Sequence, residues 1–97
     1  MTIARHFVMY AAVGKDAALE AALRDLARKL RTIPGCEAVE LLRDISNRLC
    51  FIFIEKWTSV EAHKTGSQQL AEEDLAPLMA ALDHQPEDSY FDHLMTI

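Results

Sequence analysis

The sequence predicts an α+β fold of the ferredoxin-like class, with a four-stranded antiparallel sheet, elements in the order β-α-β-β-α-β and both helices on one face. Three observations lead to this prediction. Strand-like and helix-like segments follow one another in that order, and the strand before Trp57 is apolar on both faces. The chain of 97 residues is also too short for two domains. We therefore expect one domain over residues 1–97.

The first third of the chain supplies a strand and a long amphipathic helix. Residues 3–13 are rich in β-branched and aromatic side chains, and Gly14 ends this strand-like run. Over residues 15–32 the apolar side chains form a single helical stripe, made of Leu19, Leu23, Leu26, Leu30 and Ile33. Pro34 and Gly35 end the helix, because proline cannot continue it and glycine accepts the exit turn.

Two strands joined by a turn follow the helix. Residues 36–42 alternate in polarity, which is typical of a strand with one face toward a core. Residues 44–47 are turn formers. Residues 48–57 form the most hydrophobic stretch of the chain and predict the central strand.

The last third predicts helical structure and a final strand. Thr58 is the expected N-cap of a short helix, with Glu61 completing a capping box and a break near Gly66. Asp74 is the expected cap of another helix. Its first turn accommodates Pro77, because the missing N–H does no harm there. Residues 89–97 read as the closing strand.

The central strand also predicts a partner surface. Two helices cover only one face of a sheet, yet residues 49–54 are apolar on both faces. A monomer would leave one of two sets in water, either Phe51 and Phe53 or Cys50, Ile52 and Ile54. Because a large exposed apolar patch usually marks an interface, we expect a homodimer through the open sheet face. Such a dimer encloses a barrel-like core and leaves room for a cavity in each half.

Composition and charge exclude several classes of partner. The formal net charge is −5, and no cluster of Lys or Arg breaks the balance, so neither nucleic acid nor an anionic membrane is expected. No apolar run reaches the roughly 20 residues that span a bilayer, and no signal peptide is recognisable. We therefore expect a cytoplasmic protein. Cys36 and Cys50 are expected to be buried and reduced.

Residues 51–64, FIFIEKWTSVEAHK, resemble the signature of the antibiotic biosynthesis monooxygenase domains. In that family an apolar strand is followed by Glu-x-Trp and then by Ser-x-Glu-Ala-His at a helix start. The resemblance implies the dimeric α+β barrel fold and a monooxygenase without metal or flavin cofactor. In such an enzyme a phenol or quinol substrate between sheet and helices is deprotonated, and its anion reacts with O₂.

The resemblance also implies site residues. Trp57 matches the family's tryptophan and is expected at the cavity mouth, where its indole N–H donates to a substrate oxygen. His63 lies near the position of a pocket tyrosine in one oxygenase of the family and is the expected base. Phe51, Phe53 and Glu55 share the strand face of Trp57 and are expected to contact the substrate.

Two positions depart from the family's patterns. The residue four before Trp57, an asparagine in that oxygenase, is Phe53 here. The haem-degrading branch has a histidine ten residues past its tryptophan, where this chain has Ser67. Haem degradation is therefore not expected.

His6, Tyr10 and His93 are further candidates for substrate binding. His6 and His93 belong to the predicted first and last strands, which are neighbours in this fold. On the pocket face they would form a polar cluster with Tyr10 or Tyr90, and the alternative is a position on the helix face or at an edge. No two of the 4 histidines stand at a chelating spacing, so no metal site is expected.

Other functions remain open at this point. The same cavity would suit a non-catalytic ligand-binding or regulatory dimer, and dimeric α+β barrels also host isomerases and lyases. Trp57 has an alternative role in core packing, and Glu55 has one in bracing a helix N-terminus or an arginine.

Overall fold

The elements follow the predicted order, and both helices expected after Trp57 are present. The computed structural model describes residues 1–97, and its second helical region divides into two helices, giving β-α-β-β-α-α-β. The elements are β1 (Ile3–Tyr10), α1 (Asp16–Leu30), β2 (Cys36–Arg43), β3 (Cys50–Trp57), α2 (Val60–Ser67), α3 (Glu72–Ala81) and β4 (Glu87–Asp92).

The strands form one antiparallel sheet in the order β2-β3-β1-β4. The predicted ferredoxin-like α+β class is confirmed. The register pairs Arg5 of β1 with Glu55 of β3 on one side and with Tyr90 of β4 on the other. One row across the sheet therefore carries the carboxyl group of Glu55, the guanidinium group of Arg5 and the phenol of Tyr90.

The alternation of β3 assigns the two faces that the sequence left open. Its helix-facing side chains are almost completely buried, and they are Phe51, Phe53, Glu55 and Trp57. Its opposite face carries Ile52 and Ile54, which are half-buried. These two, with their neighbours on β1 and β2, give the uncovered face its apolar character.

The strands β1 and β4 both end earlier than expected, because the strand paired with each of them stops there. β1 ends at Tyr10 because its partner Cys50 is the first residue of β3, so residues 12–13 have no strand beside them. β4 ends at Asp92, opposite Ile3, where β1 begins. Residues 93–97 therefore run past the sheet, and the expectation of a strand to residue 97 is wrong.

The start of α2 differs from the expectation by one residue. Its N-cap is Ser59, whose Oγ accepts the amide N–H of Ala62 at 3.0 Å. Thr58 precedes the cap, and its amide donates to the carbonyl of Gly35 at 2.9 Å, next to the start of β2. The expected break near Gly66 is confirmed, since α2 ends at Ser67, one residue later.

The start of α3 also departs from the expectation. The N-cap is Ala71, and Asp74 is the third helical residue, whose Oδ2 accepts the Ala71 amide N–H at 2.8 Å. A carboxylate in this position satisfies one of the free amides at the helix entrance. Pro77 lies beyond the first turn, inside the helix.

No helix is long and apolar enough to cross a lipid bilayer. Cys36 and Cys50 are both buried and both free, as expected from the sequence.

Candidate functional site

A cavity of about 220 Å³ lies between the sheet and the three helices. Most of its wall is apolar, formed by Phe7, Met9, Leu26, Leu30, Phe53, Leu70, Leu75, Leu78 and Met79. The polar side chains in the wall are Glu55, His63, Ser67, Gln85 and Asp88. An apolar cavity with a few polar groups is the usual form of a small-molecule site.

Glu55 is the buried acid of this cavity. Its Oε1 accepts the indole N–H of Trp57 at 2.9 Å, and Oε2 makes no hydrogen bond within the chain, while the residue forms part of the cavity wall. Burial raises the pKa of the carboxyl group to about 7, against the smaller lowering effects of the Trp57 hydrogen bond and the Arg5 charge. Glu55 can therefore exchange a proton near neutral pH.

His63 faces Glu55 from the first half of α2. Its Nε2 lies 3.9 Å from Oε1 of Glu55, and its Nδ1 lies 2.6 Å from the hydroxyl of Tyr90. Burial, helped by the charges of Arg5 and Lys64, lowers the pKa of the imidazole below its usual value. His63 is therefore neutral at neutral pH.

The two groups share a single physical cause for their opposite pKa shifts. An ion pair across 3.9 Å would favour charge on both Glu55 and His63, but burial disfavours charge on each of them. The separation is too long for a direct hydrogen bond, so burial dominates. Above about pH 7 the pair consists of a carboxylate and a neutral imidazole.

Arg5 is the residue of β1 that is paired with Glu55 in the sheet. Its guanidinium carbon is 4.3 Å from the ring centre of Tyr90 and 5.0 Å from that of Phe7, and its Nη2 is 3.0 Å from Oδ2 of Asp88. The Nε of Arg5 is buried and has no hydrogen-bond partner. The charge is held in place by two aromatic faces and one carboxylate.

Gly66 allows the close packing of α2 that places His63. A Cβ at this position would lie 2.7 Å from Cη2 and Cζ3 of Trp57 and 2.9 Å from Cγ2 of Ile33. The indole ring thus rests directly on the α2 backbone, and the edge-on contact between Trp57 and His63 has ring centres 5.5 Å apart. Glycine is required here by a close approach and not by an unusual backbone angle.

Comparison with known protein families identifies the group. The family model of the antibiotic biosynthesis monooxygenases matches residues 2–71. The chain belongs to the antibiotic biosynthesis monooxygenase family. A comparison with functionally curated proteins finds no match.

Solved structures share the fold over nearly the whole chain. A protein from Nitrosomonas europaea assigned to the same family has a TM-score of 0.88 at 11% identity, covering 96% of this chain and 90% of its own. One from Bordetella bronchiseptica has a TM-score of 0.85 at 19% identity, covering 97% and 98%. A mutant of SnoaB, a cofactor-independent oxygenase from Streptomyces nogalater, has a TM-score of 0.83 at 20% identity, covering 99% and 96%.

Within this antibiotic biosynthesis monooxygenase domain, the predicted site residues separate into two groups. Phe53, Glu55 and His63 line the cavity. Trp57 and Phe51 lie on the same strand face, but they are fully buried and outside the cavity wall. The expectation that Trp57 lines the mouth is corrected, because its indole N–H already donates to Glu55.

His6, Tyr10 and His93 are not at the cavity. His6 and Tyr10 have the opposite strand phase to Arg5 and Phe7, so they lie on the open face, where His6 contacts the edge of Phe91 and Tyr10 stacks on His84. His93 follows the last strand and hydrogen-bonds to Thr96 at 2.8 Å. The predicted polar cluster of these three residues does not form.

The sequence analysis missed Arg5 and Tyr90 as site residues. Arg5 interrupts the buried phase of β1 between Ile3 and Phe7, which is a detectable signal for a buried charge with a partner. Tyr90 carries no such signal, because β4 is an edge strand without alternation in burial. No group of three or more His, Cys, Asp or Glu side chains is placed to hold a metal ion.

Proposed function

We propose that this protein is a cofactor-independent monooxygenase that oxidises a small aromatic compound of phenol or quinol type with O₂. The observation that carries the proposal is the pair of Glu55 and His63, with Nε2 and Oε1 3.9 Å apart, in the wall of an otherwise apolar cavity. Glu55 exchanges a proton near neutral pH, and His63 is neutral there. Such a pair can accept the proton of a bound hydroxyl group.

The chemistry requires only binding, proton removal and stabilisation of negative charge. A substrate hydroxyl in reach of Oε2 of Glu55 loses its proton, and the resulting electron-rich anion transfers electrons to O₂. Where the oxidised carbon is a methylene, one oxygen atom becomes the new carbonyl and the other leaves as water with the two methylene hydrogens. The substrate supplies all the electrons that reduce O₂, so no external reductant is needed.

The cavity volume favours a small ligand. An apolar cavity of about 150 Å³ is known to accommodate benzene. The 220 Å³ here suits one ring with substituents or two fused rings. Phe53 contributes an aromatic face in the place where an oxygenase of the family carries asparagine, which makes contact with a ring more favourable and removes one polar contact.

Two relationships to known proteins support the proposal. The chain belongs to a monooxygenase family, and SnoaB, which shares the fold, is described as a cofactor-independent oxygenase. The phenol or quinol class is what the resemblance of residues 51–64 implies, and the apolar cavity with its buried glutamate supports it.

An oxygen electrode combined with mass spectrometry tests the activity. Substituted quinols, dihydroxynaphthalenes and anthrones are offered in air, and we expect O₂ uptake with a product that gains the mass of one oxygen and loses two hydrogens. Glu55→Gln should reduce kcat by about a hundredfold, in the range for removal of an acid–base group. His93→Gln is the matched control, because His93 lies outside the cavity.

Two outcomes would contradict the oxygenase. Saturable ligand binding without O₂ uptake would favour a ligand-binding or regulatory protein. O₂ uptake that is equal in wild type and Glu55→Gln would show that the site is elsewhere.

An isomerase is a second candidate, favoured by the same two groups. A buried glutamate base beside a neutral histidine suits proton abstraction next to a carbonyl. Turnover of an enolisable ketone under argon, without loss of rate, would select this function over the oxygenase.

We further propose that the protein functions as a homodimer through the open sheet face. Leu42 and Phe91 on this face are 50% and 52% exposed, and Ile52 and Ile54 lie between them on the sheet. An apolar patch of this extent on a small chain indicates a partner surface. Two-fold pairing of the same face on two copies would cover it.

A further inference from the structure

We propose that Tyr90 holds neutral His63 in the tautomer with its proton on Nε2, so that His63 donates a hydrogen bond to the substrate oxygen and Glu55 alone is the base. The hydroxyl of Tyr90 lies 2.6 Å from Nδ1 of His63. The final step, donation to substrate, rests on the proposed function. The tautomer itself does not.

The direction of the Tyr90–His63 hydrogen bond follows from the acidity of its two partners. A phenol has a pKa near 10 and is a better proton donor than a neutral imidazole N–H, whereas an imidazole nitrogen is a far better acceptor than a phenol oxygen. The short contact is therefore O–H of Tyr90 donating to Nδ1 of His63. A neutral imidazole that accepts at Nδ1 carries its proton on Nε2.

The other side of the ring favours the same tautomer. Nε2 of His63 faces Oε1 of Glu55 at 3.9 Å, and a carboxylate attracts an N–H and repels a nitrogen lone pair. The distance of 3.9 Å exceeds hydrogen-bond range, so the N–H of Nε2 has no hydrogen bond to Glu55. This N–H is free to donate to a ligand atom in the cavity.

Arg5 strengthens the donation by Tyr90. Its guanidinium lies 4.3 Å from the centre of the Tyr90 ring, and a positive charge there stabilises electron density on the phenol oxygen as the O–H is shared. The charged groups around the imidazole are thus Glu55, Arg5 and Lys64, with Tyr90 as its hydrogen-bonding neighbour. All act on a ring that burial keeps neutral.

Glu55 and His63 have different roles in this arrangement. Glu55 removes the proton, and the Nε2–H of His63 stabilises the negative charge that forms on the substrate oxygen. Neutral histidine beside a glutamate base is a known solution for polarising an oxygen at neutral pH. Tyr90 is then a positioning residue, since it acts through His63 and is not in the cavity wall.

¹⁵N NMR of the histidine rings tests the tautomer without any substrate. The His63 signals are assigned by their loss in His63→Gln and read at pH 8, where the ring is neutral. We expect the Nε2–H form to exceed the Nδ1–H form by at least about tenfold in the wild type. In Tyr90→Phe, which keeps the ring over Arg5 and deletes the hydroxyl, the ratio should move toward a mixture. Tyr10→Phe is the matched control and should leave His63 unchanged, because Tyr10 lies on the other face.

The wild-type measurement alone can overturn the proposal, whether or not Tyr90→Phe folds. A predominant Nδ1–H form would assign the lone pair of Nε2 to the cavity and make His63 a second base. An unchanged tautomer ratio in a folded Tyr90→Phe would remove Tyr90 from the arrangement.

Turnover supplies an independent readout. If the oxygenase is active, Tyr90→Phe should lower kcat about tenfold with KM within about twofold of wild type, because the group acts on the transition-state charge. A raised KM at unchanged kcat would indicate a purely structural role and contradict the assignment. If no substrate is turned over, the NMR result still stands, so the two proposals fail separately.

Discussion

The indole N–H of Trp57 donates to Oε1 of Glu55 at 2.9 Å, between two residues of the same face of one strand. The tryptophan therefore acts on the cavity through the glutamate and not through direct contact with a ligand. It binds one oxygen of the carboxylate and leaves the other without a hydrogen bond within the chain. Trp57 is also the ring on which α2 rests, so the same side chain positions both Glu55 and His63.

Trp57→Phe should raise the pKa of Glu55 above its value of about 7, because the lost hydrogen bond stabilises the carboxylate. The acidic limb of the pH–rate profile should shift to higher pH by the same amount, and ¹³C NMR of the Glu55 carboxyl carbon measures it directly. Phe51→Leu is the control, since it disturbs the same buried strand face without touching this hydrogen bond. An unchanged Glu55 pKa in Trp57→Phe would contradict the proposed role of the indole.

The raised pKa of Glu55 predicts a pH dependence of stability. The folded protein holds this proton up to about pH 7, whereas the unfolded chain releases it near 4.5. The stabilisation is complete below pH 4.5 and is lost as the pH rises through 7, amounting to about 3 kcal/mol for a group this buried.

Urea unfolding of wild type and Glu55→Gln across this range isolates the effect, because the contribution of His63 is largely common to both. The free energy of unfolding of the wild type relative to the variant should fall between pH 4.5 and 8. Parallel pH profiles for the two proteins would show that Glu55 titrates normally.

Gly66→Ala should destabilise the protein by up to about 2 kcal/mol. The added Cβ would lie 2.7 Å from the Trp57 ring, and overpacking a filled core costs about 1–3 kcal/mol, of which alanine's higher helix propensity recovers about 1 kcal/mol. Thermal unfolding measures the change, with Thr65→Ala on the exposed side of α2 as the control. A Gly66→Ala protein as stable as Thr65→Ala would mean that α2 moves away from the indole at no cost.

Ile54→Asp should convert the proposed dimer to a monomer, because it places a charge in the middle of the open sheet face. Light scattering at micromolar concentration gives the mass. Ile45→Asp serves as the control, since Ile45 is 88% exposed in the turn between β2 and β3 and outside that face. A monomeric wild type, or a dimeric Ile54→Asp, would place the interface elsewhere.

The sequence predicted the fold well because its signals are local. The helical stripe of α1, the exit at Pro34 and Gly35 and the doubly apolar β3 each depend on a few neighbouring residues. The family signature added the Glu55–Trp57 segment and His63. The errors at the ends of β1 and β4 came from pairing, since a strand stops where its neighbour stops, whatever its own propensity.

The candidate site was harder to predict because it depends on register. Arg5, Glu55 and Tyr90 meet only because β1 pairs with β3 and β4 in one particular alignment, which no single segment encodes. A shift of β1 by one residue would have turned His6 instead of Arg5 toward the cavity. The assignment of His6 and Tyr10 to the pocket was wrong for this reason.

The cavity-lining residues of β1 and β3, which are Phe7, Met9, Phe53 and Glu55, project from the sheet face opposite the proposed interface. If two copies pair as proposed, Glu55 and His63 of each copy lie on the side away from its partner. In a mixed dimer with a single intact copy, turnover per assembly would be halved and the substrate affinity of that copy preserved. Pairing as proposed would cover the apolar sheet faces and leave the two cavities on opposite sides of the assembly.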